Sequence, residues 1–99
     1  MKFAQIIEFR TDHIDTFNAN LDAWMTRTAG RRIPHTAVLR RDRDGGNTYL
    51  FLVEFASYEA AMENSNRPET GEFAARMQAL CDGPPIFHNL DVRYEAQID

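Results

Sequence analysis

Thr48-Tyr49-Leu50-Phe51-Leu52-Val53-Glu54-Phe55-Ala56 is the stretch that decides the fold. Tyr49, Phe51, Val53 and Phe55 alternate with Leu50, Leu52 and Glu54, which is the period-two pattern of an extended strand, but with large apolar groups on both parities. A strand of this kind needs cover on both faces. Immediately before it, Asp44-Gly45-Gly46-Asn47 supplies residues that accept positive φ and reads as a two-residue hairpin turn. The partner strand then runs from Pro34 through His35, Ala37, Val38 and Leu39 to Arg43. With Asp44 opposite Asn47, the register predicts Ala37 opposite Glu54, His35 opposite Ala56, Arg40 opposite Phe51 and Asp42 opposite Tyr49.

Working outward, Lys2 to Arg10 reads as a first strand, with Phe3, Ile7 and Phe9 on one side and Ala4 and Ile6 on the other. Thr11 and Asp12 stand at the N-cap position of a helix, with Asp15 completing an approximate capping box. Ile14, Phe17, Leu21, Trp24, Met25 and Thr28 form the apolar stripe of that helix, and Gly30 ends it. Beyond the central strand, Ser57 caps a second helix carrying Tyr58, Ala61 and Met62. It breaks around Asn64-Ser65-Asn66-Arg67-Pro68 and restarts with Pro68 in its first turn, with a stripe of Phe73, Met77, Leu80 and Cys81. A last strand, from Ile86 to about Ala96, carries Ile86, His88, Leu90, Val92 and Tyr94 on one side and Phe87, Asn89, Asp91 and Arg93 on the other.

The order is βαββαβ. It predicts an α+β, ferredoxin-like fold in which a four-stranded antiparallel sheet bears both helices on one face. The other face would be left open and, on the strength of the central strand, apolar. A homodimer in which the helix-free sheet faces meet, closing a dimeric α/β barrel, covers it most simply.

A chain of 99 residues predicts one domain, residues 1–99. Hydrophobic residues at 43% with 26% charged place it among folded globular chains. No apolar run approaches the ~20 residues of a membrane span, so neither a membrane nor a signal peptide enters the expectation. The one cysteine, Cys81, suits a reducing cytoplasm. A net charge of −4 lacks the footprint of a nucleic-acid binder. The three imidazoles, His13, His35 and His88, are too far apart for a local metal motif, and no glycine-rich loop precedes a helix, so no metal and no cofactor is expected.

Catalytic candidates are His88 and His35. His88 shares its strand side with Leu90 and Val92, as either a hydrogen-bonded interior histidine or a base or donor in a pocket. His35 becomes a diagonal neighbour of Glu54 in the hairpin register, as a structural ion pair or a polarised acid-base pair. Candidate substrate contacts are Trp24, Tyr49, Arg40 and Phe51. Trp24 either closes the core or walls an aromatic pocket. Arg40 over Phe51 is either packing or a partner for an anionic or phenolate-like ligand. The cluster Arg31, Arg32, Arg40, Arg41 and Arg43 is interleaved with acids and reads as a solvated edge or, alternatively, an anion-binding surface, and Cys81 beside Leu80 reads as a small buried hydrophobe.

Through the element order, the apolar strand Tyr49 to Phe55 and the split helix with Ser65-Asn66-Arg67-Pro68-Glu69-Thr70 before Phe73-Ala74-Ala75-Arg76-Met77, the chain resembles the dimeric α/β-barrel superfamily. Within that superfamily it resembles the small domains of the antibiotic-biosynthesis-monooxygenase type. The resemblance implies a cofactor-independent monooxygenase or related enzyme acting on a small aromatic or polyketide-like compound. The alternative is a non-catalytic dimeric domain that binds a small ligand or is purely structural. A third reading, an RNA-recognition domain, shares the element order, but Leu50 and Asn47-Thr48 replace the small, basic and glycine residues of its signature. The haem-degrading branch of the superfamily carries an asparagine on the first strand and a tryptophan and histidine on the second helix. Gln5 and a helix-one Trp24 depart from that pattern.

Overall fold

The computed structural model describes residues 1–98. Seven elements follow one another: β1 (Phe3–Arg10), α1 (Ile14–Arg27), β2 (Thr36–Arg41), β3 (Thr48–Phe55), α2 (Tyr58–Ser65), α3 (Pro68–Ala79) and β4 (Ile86–Asp91). The strands form one antiparallel sheet in the order β2-β3-β1-β4, the ferredoxin-like arrangement, with the apolar strands β3 and β1 in the middle and the shorter β2 and β4 at the edges.

Register decides which side chains share a face. In β1 and β3, Phe3 is opposite Phe55, Gln5 opposite Val53, Ile7 opposite Phe51 and Phe9 opposite Tyr49. This is the face on which the helices lie. Phe3, Phe9, Phe51, Val53 and Phe55 form the core there with Phe17 of α1, Ala61 of α2 and Met77 of α3. Phe17 fixes α1 to the sheet, stacking on Phe9 at 4.6 Å between ring centroids and meeting Phe51 edge-on at 6.4 Å. The residues between them, Ala4, Ile6, Leu50 and Leu52, lie on the helix-free face, where Ile6 is opposite Leu52 and Ala4 is opposite both Glu54 and Leu90.

The split second helix forms as its sequence dictates. Ser57 caps α2, its side-chain oxygen accepting a hydrogen bond from the Ala60 amide at 3.1 Å, and Pro68 opens α3. The start of α1 differs from expectation. Its N-cap is His13, which makes no side-chain capping bond; Thr11 and Asp12 precede it instead of capping the helix. Thr11 is 1% exposed; its hydroxyl donates to the Leu80 carbonyl at 2.6 Å and accepts from the His13 amide at 3.0 Å. One side chain therefore joins the end of β1, the start of α1 and the end of α3.

The hairpin also differs, and with it every cross-strand pair expected of β2. The loop is longer than the glycine pair suggests. The Asp42 amide donates to the Thr48 carbonyl at 2.9 Å, and the residues between make successive turns, with Gly45 N–H on Asp42 O and Thr48 N–H on Gly45 O. Asn47 cannot pair with Asp44, because its carbonyl accepts from the Thr11 amide and its side chain donates to Asp12 and Asp82. At Gly45 a Cβ would sit 2.8 Å from the Asp42 carboxyl carbon, so any larger residue there would have to displace the Asp42 side chain. The result is a one-residue slip: Thr36 pairs with Glu54, Ala37 with Val53, Leu39 with Phe51, Arg40 with Leu50 and Arg41 with Tyr49. A one-residue slip moves every side chain of β2 to the opposite face.

Thr11→Val keeps the buried shape of this residue but deletes both hydrogen bonds, and should lower unfolding stability by ~1–3 kcal/mol, while Thr11→Ser should recover most of it. Urea unfolding followed by circular dichroism measures both variants.

Candidate functional site

Between the helix-bearing face of the sheet and α1, α2 and α3 lies an open cavity of about 490 Å³. Its origin is visible in α1. Phe17 reaches the sheet, but Trp24, two turns further along, packs instead against Phe73 of α3 with ring centroids 5.5 Å apart. The floor below that pair is Gln5 and Ile7 of β1 with Phe51 and Val53 of β3; Phe73 and Met77 form part of the helical wall. The volume falls within the ~300–1,000 Å³ range of small-molecule sites.

Polar groups interrupt this apolar lining at few points. Gln5 is the one polar residue among Phe3, Ile7 and Phe9 on its side of β1, and its amide donates to Asn89 Oδ1 at 3.0 Å on the adjacent strand. Asn64 and Ser65 enter from the end of α2, and Thr70 and Gln78 from α3. Two buried polar atoms at this wall have no hydrogen-bond partner: the indole Nε1 of Trp24 and the hydroxyl of Thr70. Unmet buried groups of this kind are uncommon in folded proteins. Cys81 also lines the cavity, its thiol donating to the Met77 carbonyl at 3.2 Å. Burial, with a smaller contribution from Asp82, pushes that thiol above its ordinary pKa, so it is protonated at neutral pH.

A second cavity of about 470 Å³ adjoins the first, sharing Trp24, Ala37 and Phe51 with it. Arg32 and His35 line this one. The structure thus brings three sequence candidates, Trp24, Phe51 and His35, to neighbouring walls.

The other candidates are elsewhere. His88 is opposite Ile6, on the helix-free face of edge strand β4, with Nε2 3.5 Å from Glu8 Oε1. It is exposed and on the wrong side of the sheet for the cavity. Arg40 faces the same way, opposite Leu50, and does not stack on Phe51. Tyr49 stacks on Phe9 at 5.8 Å and packs against the core without lining either cavity. The expected His35–Glu54 side-chain pair is not formed. The His35 amide donates to the Glu54 carbonyl at 2.7 Å, but His35 lines the second cavity while Glu54 lies on the helix-free side, near Lys2. Sequence reasoning missed Gln5, Asn64, Thr70 and Gln78. Only Gln5 carried a signal, a lone amide in an otherwise apolar row.

No protein-family model and no curated protein sequence matches this chain. Solved structures do. Rv0793 from Mycobacterium tuberculosis superposes with a TM-score of 0.79 at 23% identity, over 98% of this chain and 100% of that one. SnoaB, a cofactor-independent oxygenase from Streptomyces nogalater, gives 0.78 at 16% identity over 95% of each chain. A proposed antibiotic biosynthesis monooxygenase from Caulobacter crescentus gives 0.78 at 16% identity, over 94% of this chain and 91% of that one. The four-stranded sheet with its split second helix is therefore the fold of the antibiotic-biosynthesis-monooxygenase-like structures, shared along nearly the whole chain.

Proposed function

We propose that the protein binds a small aromatic or polyketide-like compound in the cavity between sheet and helices, and acts on it as a cofactor-independent monooxygenase or a related enzyme. The observation that carries this reading is the open, aromatic-lined cavity of about 490 Å³ bearing an unpartnered indole N–H. The likeness to SnoaB supports it at the level of fold. The chemistry asks little of the protein. A compound whose C–H is acidified by flanking aromatic or carbonyl groups yields a stabilised carbanion that passes an electron to dioxygen. Recombination then gives a hydroperoxide, and loss of water leaves a carbonyl. The protein supplies orientation, exclusion of bulk water and donors for the developing oxyanion. Trp24 Nε1 and the amides of Asn64 and Gln78 are the donors in reach of the cavity. His35 in the adjoining cavity is the available imidazole, and His88 has no part in this cavity. A ligand-binding domain without turnover is favoured by one specific observation: among the described residues, neither a histidine nor a carboxylate lines the main cavity.

The helix-free sheet face belongs to the same proposal as the surface on which a second copy docks. Ala4, Ile6, Leu50 and Leu52 form its middle, flanked by Ile86 and Leu90, both exposed. Arg40 and the Glu8–His88 pair lie on this face too, so apolar and oppositely charged groups are available for a twofold, self-complementary contact. The pairing leaves the cavity face free. Residues 1–98 contain no helix long and apolar enough to cross a membrane.

Titration with phenolic and anthrone-like compounds should perturb Trp24 fluorescence, and oxygen uptake separates the two readings: binding with uptake supports the oxygenase, binding without it the non-catalytic domain. Alkylation of Cys81 should accelerate with pH only above the range of an ordinary thiol, and a bound compound should slow it further. Leu50→Asp, which buries an unpaired charge in any sheet-to-sheet contact, should shift sedimentation from dimer to monomer with the fold intact; a parent protein that is monomeric at micromolar concentration removes the dimer.

A further inference from the structure

Among the described residues, every side chain lining the main cavity is hydrocarbon, aromatic, amide, hydroxyl, thioether or thiol. None carries a formal charge at neutral pH, and the only titratable group, the Cys81 thiol, is held protonated by its burial. The chain is otherwise rich in charge, at 26% of residues, so the lining is a strong selection from its composition. The charged candidates sit apart from it: Arg40 on the helix-free face, and Arg32 in the adjoining cavity beyond Trp24, Ala37 and Phe51.

We propose that this cavity selects its ligand in the electrically neutral form and holds an ionisable hydroxyl on that ligand protonated. The inference rests on the reading of the cavity as a ligand site and narrows the ligand class: an uncharged, largely aromatic compound bearing one or a few oxygen acceptors, and neither a carboxylate, a phosphate nor an amine. The physical reason is desolvation. A carboxylate or ammonium moved into this space gives up its hydration and finds no counter-ion, whereas a neutral hydroxyl or carbonyl exchanges water for the unmet indole N–H or an amide. The same imbalance acts on a proton equilibrium. A phenol bound here meets a wall that favours its neutral form, so its pKa rises on binding, as it does for a buried acid. For a reaction that begins by proton loss, the charge that develops must be met by neutral donors rather than by a cation.

Three probes of one shape make the test: naphthol, naphthoate and naphthylmethylamine, followed by calorimetry with Trp24 fluorescence as a second readout. Naphthol should bind at least ~100-fold more tightly than either charged analogue at neutral pH. A nitronaphthol whose coloured anion reports its own ionisation should show its pKa raised by ~2 units in the complex, the same preference read through the proton. Ala37→Lys places an ammonium at an exposed wall position of edge strand β2, and should narrow the gap between naphthol and naphthoate by ~10-fold or more. Comparable affinity of naphthol and naphthoate for the parent protein, or a lowered pKa of the bound nitronaphthol, overturns the selection for neutrality and leaves the cavity as a ligand site. Binding of none of the probes, with no response from Trp24, overturns the ligand-site reading and this inference with it.

Discussion

The packing of Phe17 between Phe9, on which it stacks, and Phe51, which it meets edge-on, is the contact on which the rest of the molecule depends. At 2% exposure it is one of the most buried side chains of the chain, and it is the point where α1 is pressed onto the two central strands. The helix is fixed at that turn, and two turns further along Trp24 packs against Phe73 of α3. The core is thus filled at one end and spanned by an aromatic pair at the other. The cavity is a consequence of where the large side chains fall along α1, with no separate loop or lid required to create it.

How much of this the sequence disclosed depends on the range of the interaction concerned. The alternation of Tyr49, Phe51, Val53 and Phe55 is a local property, and it yields β3 and its two apolar faces. The cap at Ser57 and the restart at Pro68 are also local, and both form. The hairpin register is not local. Asp44-Gly45-Gly46-Asn47 has the composition of a two-residue turn, but Asn47 is claimed by Thr11, Asp12 and Asp82, residues distant in sequence. Those contacts lengthen the loop and reverse the faces of β2, which sends Arg40 away from Phe51 and His35 away from Glu54. Thr11 is likewise drawn into a distant contact: its hydroxyl donates to the end of α3 while accepting from the His13 amide, and the cap position falls on His13.

His88 illustrates a different limit. Its side of β4, shared with Ile86 and Leu90, is legible from alternation, but alternation does not say which side the helices cover. The apolar neighbours suggested an interior, whereas the register with Ile6 puts all three on the helix-free face. The polar groups of the cavity were obscured for a third reason. Asn64, Thr70 and Gln78 are ordinary residues in helical sequence, and only the packing of α2 and α3 over the sheet makes them wall rather than surface.

The sheet consequently separates two kinds of chemistry by the thickness of one strand layer. Its outer face combines apolar side chains with Arg40, Glu8 and His88, groups that can pair with an identical surface. Its inner face, over the cavity, offers aromatic carbon and neutral donors. A strand alternates its side chains between the two faces, so a register error of one residue in β2 would exchange these environments along that edge, carrying Arg40 toward the cavity and Ala37 to the outside. The loop contacts of Asn47 that set the register of β2 against β3 therefore also keep Arg40 out of the cavity. A charge-free interior in this protein is a property of strand register before it is a property of any residue in the wall.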